Sequence, residues 1–175
     1  LGVGGIALVA WLRPFSAKQP ALDAMQSDSA VTVTETATRV VLVPAHSPNA
    51  TAVFFEPGAK VEARAYAAVL RPLAAAGFTV AIAKQPLAIA FLSLAGFDAA
   101  RTDFPGVQRW VLGGHSLGGI VATIQADDSD GDTAAPAVGL VLYASYPAGD
   151  VSSSLTARRE ISEVTFDFVR GFDET

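Results

Sequence analysis

The chain has 175 residues, 51% of them hydrophobic and 17% charged, with a formal net charge of −5 at pH 7. That length suits one domain with a sizeable core, and the composition is too apolar for a disordered chain and not apolar enough for a polytopic membrane protein. The acidic balance argues against a nucleic-acid partner, and the absence of cysteine excludes disulfides, thiolate catalysis and cysteine-based zinc sites without choosing a compartment.

Leu1 to Leu12 carries no charge before Arg13-Pro14. It is shorter than the roughly 20 apolar residues that span a bilayer. Two readings stand: the surviving end of a membrane anchor or signal segment, or a buried strand or helix, the latter weakened by Gly2, Gly4 and Gly5. Residues 1–30 are therefore expected to form an N-terminal segment capable of membrane association, in an anchored or exported protein whose side of the membrane Arg13 and Lys18 do not settle. A start at Leu1 suggests processing, upstream truncation or an unusual initiation codon.

From residue 31 short β-branched runs alternate with alanine-rich stretches. Val31–Thr34, Arg39–Val43 and Thr51–Phe55 read as strands, and the connections between them are too short for a crossover helix, which predicts antiparallel neighbours. Glu56-Pro57-Gly58-Ala59 reads as a turn. A helix is expected from Glu62 to Ala76, with Tyr66, Val69, Leu70 and Leu73 on one face, a kink or split at Pro72, and Gly77 at the C′ position. Phe78–Ala83 is an apolar strand of the kind that parallel sheets bury on both faces. A further helix is expected within Leu87–Ala100, its first half ambiguous. Then come strand Arg109–Leu112, helix Leu117–Ala126, an acidic loop at Asp127–Asp132 and strand Val138–Tyr143. This rhythm predicts an α/β fold, a mixed and mainly parallel sheet flanked by helices, with right-handed crossovers.

The strongest chemical signal is Gly113-Gly114-His115-Ser116-Leu117-Gly118-Gly119, set between an apolar strand and a helix. A serine on a tight strand-to-helix turn projects its hydroxyl clear of the sheet. Strand and helix then pass so closely that a Cβ at Gly114 or Gly118 would collide. The helix start aims unpaired N–H groups at the place where an oxyanion would form, and Leu117 N–H is the natural first donor. A phosphate-binding loop is excluded, because no Gly-Lys-Ser/Thr follows.

The chain resembles the α/β-hydrolase superfamily, and closely a bacterial branch whose elbow reads Gly-Gly-His-Ser-Leu-Gly-Gly. Phe54-Phe55-Glu56-Pro57-Gly58, Ala65-Tyr66, Ala76-Gly77-Phe78, Lys84-Gln85-Pro86-Leu87 and Gly139–Pro147 fit that branch in order, covering roughly residues 39–150. The resemblance implies a serine hydrolase, most often acting on carboxylic esters, with Ser116 as nucleophile. It also implies a second oxyanion donor at Gly58 or Ala59, a small-molecule acyl ester as substrate, and no cofactor or metal.

A serine needs an adjacent base, and in this superfamily the triad runs Ser, acid, His. The only histidines, His46 and His115, both precede Ser116. His46 reads as a solvated turn residue and His115 as a structural neighbour turned away from the hydroxyl. Glu163–Val169 alternates like a strand, and Asp173 beyond it is the candidate acid, Asp150 a lesser one; an ordinary surface carboxylate is the competing reading of both. The end at Thr175 leads to the expectation of a hydrolase domain, residues 31–175, that is incomplete and lacks its last strand and helix. The alternative is a non-catalytic binding or scaffold protein, or an inactive fragment. The acidic run Asp127–Asp132 misses the calcium-loop spacing and reads as a solvated loop. Trp11 and Trp110 read as packing or interface residues.

Overall fold

The computed structural model describes residues 13–129 and 134–149. Leu1–Leu12, Trp11 among them, Asp150, Asp173, the expected Glu163–Val169 strand and part of the acidic run lie outside the described residues. In chain order the elements are α1 (Gln19–Asp23), β1 (Val31–Glu35), β2 (Arg39–Pro44), β3 (Thr51–Glu56), a 3-10 turn (Ala63–Tyr66) and α2 (Ala67–Ala75). There follow β4 (Thr79–Ala83), two 3-10 turns (Pro86–Ala88 and Ala90–Ser93), α3 (Gly96–Asp103), β5 (Arg109–His115), α4 (Leu117–Asp128) and β6 (Ala137–Tyr143).

The six strands form one sheet in the order β1-β2-β4-β3-β5-β6. The β1/β2 and β2/β4 pairs are antiparallel; β4/β3, β3/β5 and β5/β6 are parallel. The mixed, mainly parallel sheet flanked by helices is the architecture the sequence predicts. One expected pairing is wrong: β2 and β3 are not neighbours, because β4 lies between them. All five residues of β4 are buried, so its backbone groups need partners on both edges, and β2 and β3 supply them.

Strand parity divides the core into two layers. Ala52 and Phe54 of β3, Ala81 and Ala83 of β4, and Trp110 and Leu112 of β5 pack with Phe97 of α3 and Ala122 of α4. Phe55, Val80 and Ile82 face the other way, onto Tyr66, Leu70 and Ala74. Trp110 is fully buried and packs edge-on against Phe97 and Phe104, so it is a core residue.

The helices depart from expectation at their ends. The stretch from Glu62 opens as a 3-10 turn and becomes α-helical at Ala67, and α2 continues through Pro72 as one element, not divided there. Gly77, at φ +102, closes it: Phe78 N–H reaches the Leu73 carbonyl and Gly77 N–H that of Ala74, the paired bonds that let a glycine end a helix. The first half of Leu87–Ala100 forms short 3-10 turns, with helix only from Gly96. Strand β5 runs on to His115, and α4 extends to Asp128, so Asp127 and Asp128 are helical and not part of a loop. Among the described residues no helix is long and apolar enough to cross a membrane. Residues 15–28 lie against the body: Phe15 bridges to Val61, and Arg71 pairs with Asp28 at 2.8 Å and donates to the Ala24 carbonyl.

Candidate active site

Parallel β3, β4, β5 and β6 end on one edge of the sheet, and at that edge stand Gly58, Ala59, Ser116 and Leu117. Backbone strain is concentrated there. Among the described residues seven non-glycine residues have positive φ, and five of them, Lys60, Leu87, Ala88, Ser116 and Ala144, lie in the loops leaving that edge. Such conformations persist only where the surroundings over-determine them.

Ser116 is the single residue between β5 and α4, at φ +51 and ψ −123, and it is exposed. Its N–H donates to the Tyr143 carbonyl at 3.0 Å. Its carbonyl accepts from Gly119 N–H at 3.0 Å and from Ser145 Oγ at 2.7 Å. Although it holds the N-cap position, its side chain makes no capping hydrogen bond, so the hydroxyl is not consumed by the helix. The Leu117 N–H stands at the first helical position, where the helix offers it no acceptor and the dipole favours negative charge.

The flanking glycines are required by close approach. A Cβ on Gly114 would stand 2.5 Å from the Gly118 carbonyl and Gly119 nitrogen, and one on Gly118 would strike the Glu56 and Pro57 carbonyl oxygens. Gly119 faces Ser145 in the same way. These are mostly backbone atoms, which cannot swing aside.

The second wall is the loop after β3. The register sets Glu56 beside Gly114, which brings Gly58 and Ala59 up to the serine turn. Gly58 is buried and Ala59 exposed. The Gly58 N–H donates to Tyr66 Oη at 2.9 Å, and that hydroxyl lies 2.8 Å from His115 Nδ1. With its oxygen accepting from Gly58, the phenol has its own proton to give to Nδ1 of a neutral ring. Burial favours this state on both sides, lowering the His115 pKa and pushing the Tyr66 hydroxyl up to about 12 against the opposing Gly58 bond. A Cβ on Gly58 would lie 2.5 Å from His115 Nδ1. Of the two expected donors in this loop, the Gly58 N–H is thus engaged, and the Ala59 N–H makes no hydrogen bond among the described residues.

Sequence reasoning missed the groups that hold this loop. Tyr66 stood out as an apolar position on a helix face and as part of the resemblance, with no role assigned to its hydroxyl. Glu56, read as part of a turn, is the fully buried last residue of β3. Its carboxylate accepts from Gln85 Nε2 at 2.5 Å and Gln125 Nε2 at 2.9 Å, and burial, outweighing those two bonds, raises its pKa to about 7. The available signal was parity: Glu56 follows Ala52 and Phe54 on the face that packs against α3 and α4. His46 is exposed in the loop after β2. A cavity of about 290 Å³ between Arg39, Ala83 and Gly96 is lined by none of the expected site residues. Among the described residues no cluster of three or more His, Asp or Glu could hold a metal.

A family model described as Alpha/beta hydrolase family matches residues 52–165. No curated protein sequence matches the chain significantly. Among solved structures, a hormone-sensitive lipase from a metagenome library superposes with a TM-score of 0.55 at 16% identity, over 73% of this chain and 49% of that one. A bacterial heroin esterase gives 0.52 at 17% identity, over 72% and 48%. An inhibited esterase B from Lactobacillus rhamnosis gives 0.52 at 16%, over 70% and 51%. At these identities the likeness shows the fold alone, and the chain spans about half the length of these structures.

Proposed function

This chain belongs to the alpha/beta hydrolase family, and from that premise we propose that residues 31–175 are the core of a serine hydrolase in which Ser116 attacks the acyl carbonyl of a small carboxylic ester. The observation that carries the reading is the strained, exposed Ser116, whose hydroxyl makes no cap bond to α4. Attack would form a bond from Oγ to the carbonyl carbon, move the C=O π pair onto the carbonyl oxygen and require the Oγ proton to pass to a base. The Leu117 N–H and, from the facing loop, the Ala59 N–H would receive that charge, each such donor contributing about 3 kcal/mol. The superposed structures are a lipase and two esterases, which supports the same substrate class. Exposed Leu87, Phe91, Leu92 and Leu94 after β4 suit an apolar acyl chain.

The base is the weak point of this machinery. His115 Nδ1 is taken by Tyr66, His46 lies in a distant exposed loop, and no other histidine occurs. That observation favours a second reading, an α/β-hydrolase-like binding protein without turnover. In the first reading Asp173 remains the proposed acid. A fluorophosphonate probe separates the two. Labelling at Ser116 that vanishes in Ser116→Ala supports the enzyme; no labelling leaves the binding protein. Turnover of p-nitrophenyl esters by this chain is expected to be slow or nil, and rapid Ser116-dependent hydrolysis would refute the need for a further base.

A further inference from the structure

Glu56 is a buried carboxyl with no cation beside it among the described residues. Such a group is costly to bury and persists where hydrogen bonds hold it. Here the bonds come from two other segments. Gln85, after β4, donates to Oε2 and also reaches the Pro57 carbonyl at 3.2 Å. Gln125, on α4, donates to Oε1 and reaches the Leu94 carbonyl at 3.1 Å. The backbone of the same residue lies against the serine turn, where only Gly118 leaves room for the Glu56 and Pro57 carbonyls. One residue thus ties the loop of Gly58 and Ala59 to the helix that begins at Leu117.

We propose that Glu56 is the positioning residue of this site: its carboxylate, gripped by Gln85 and Gln125, sets the Gly58 and Ala59 amides against the N-terminus of α4, and protonation loosens that grip. The functional weight of this rests on the Ser116 reading; the positioning does not. A carboxylate accepts from both amides at once, whereas a carboxylic acid must place its own proton, and the donors that face it offer no acceptor in that orientation. The acceptors nearest at hand, Gln85 Oε1 and Gln125 Oε1, are buried without a hydrogen-bond partner among the described residues. Turning either amide toward the acid would satisfy one of them at the expense of its bond to the Pro57 or Leu94 carbonyl.

The other charged groups on the surrounding elements are occupied elsewhere. Lys84 beside Gln85 pairs with Glu35, Asp98 on α3 with Arg101, and Arg39 on β2 with Asp103. His115 on β5 meets Tyr66, and Asp127 and Asp128 lie at the far end of α4. The Glu56 pKa rises from 4.5 to about 7 through burial, against the two amide bonds. The folded chain then binds more protons than the unfolded chain between those values. Its stability falls as pH rises through that window and is level above it. The ionised, fully gripped state is therefore the less stable one.

The test follows the amide resonances of Gly58, Ala59 and Leu117 by NMR from pH 5 to pH 9. They should shift together with a midpoint near 7 and stay fixed in Glu56→Gln. Resonances that do not move in the wild-type chain, or that move equally in Glu56→Gln, overturn the proposal. Gln125→Ala gives an independent arm should Glu56→Gln fail to fold. Losing a donor to the carboxylate should move the midpoint upward, and an unmoved midpoint overturns it. Fluorophosphonate labelling of Ser116 should rise several-fold more steeply across pH 7 in wild type than in Glu56→Gln; parallel profiles would remove the link to reactivity. The amide shifts report Glu56 whether or not Ser116 reacts, so the two ideas fail separately.

Discussion

The two walls of the candidate site are built by different physical means. The Ser116 wall is a local backbone device: seven residues from Gly113 to Gly119 place the serine at positive φ, and glycines clear the space on either side. The Glu56–Ala59 wall is held by side chains outside it, Tyr66, Gln85 and Gln125, the last 69 residues from Glu56. The first wall resists change because backbone cannot yield; the second depends on hydrogen bonds that single substitutions or a proton can break. Geometry fixed by sterics and geometry fixed by polar networks therefore face each other across one site.

Substitution distinguishes the two constructions. Gly118→Ala should be the most damaging, because its Cβ meets the Glu56 and Pro57 carbonyls and neither strand nor helix can retreat without losing its pairing. A loss of about 3 kcal/mol is expected in urea denaturation; a loss below about 1 kcal/mol on the same scale would show that the backbone wall is softer than its geometry. Tyr66→Phe should act on the backbone of the other wall, reaching the first wall only through the His115 side chain. It strands the buried Gly58 N–H and removes the contact to His115, an expected cost of about 1–3 kcal/mol. It should also bring faster exchange of the Gly58 amide, with the Ser116 turn unchanged in NMR shifts; equal disturbance of Leu117 would mean that the walls are not independent. Ser116→Gly should have the smallest effect and the opposite sign, since glycine accepts φ +51 freely. A gain of about 1 kcal/mol is expected as strain is released. A destabilised Ser116→Gly would show that the hydroxyl contributes more to folding than its missing cap bond suggests.

The difference between the walls also accounts for what could be read in advance. The serine turn was legible because its requirements are local: strand, glycine, serine, glycine and helix stand consecutively, and each residue type has a steric reason to be there. Strand positions were legible for a similar reason, since Thr51–Phe55 and Phe78–Ala83 are short apolar runs bounded by turns. The order of those strands was not. A six-residue link between β2 and β3 looks like a hairpin, and only the demand of fully buried β4 for partners on both edges separates them. The helix through Pro72 shows the same override: packing of Leu70 and Ala74 onto the sheet holds the helix that a local rule would divide.

The sequence by itself determined the family, the alternation of strands and helices, the place of Ser116 and the need for glycine at 114 and 118, because each of these follows from neighbours along the chain. Tertiary structure alone decided that Gly58 gives its N–H to Tyr66 and that His115 is turned to the same hydroxyl. It alone decided that Glu56 is a buried carboxyl gripped by two glutamines. Those outcomes depend on groups brought together from distant positions, where burial weakens competition from water and makes each polar partner count. No pattern of neighbours along the chain records such partners.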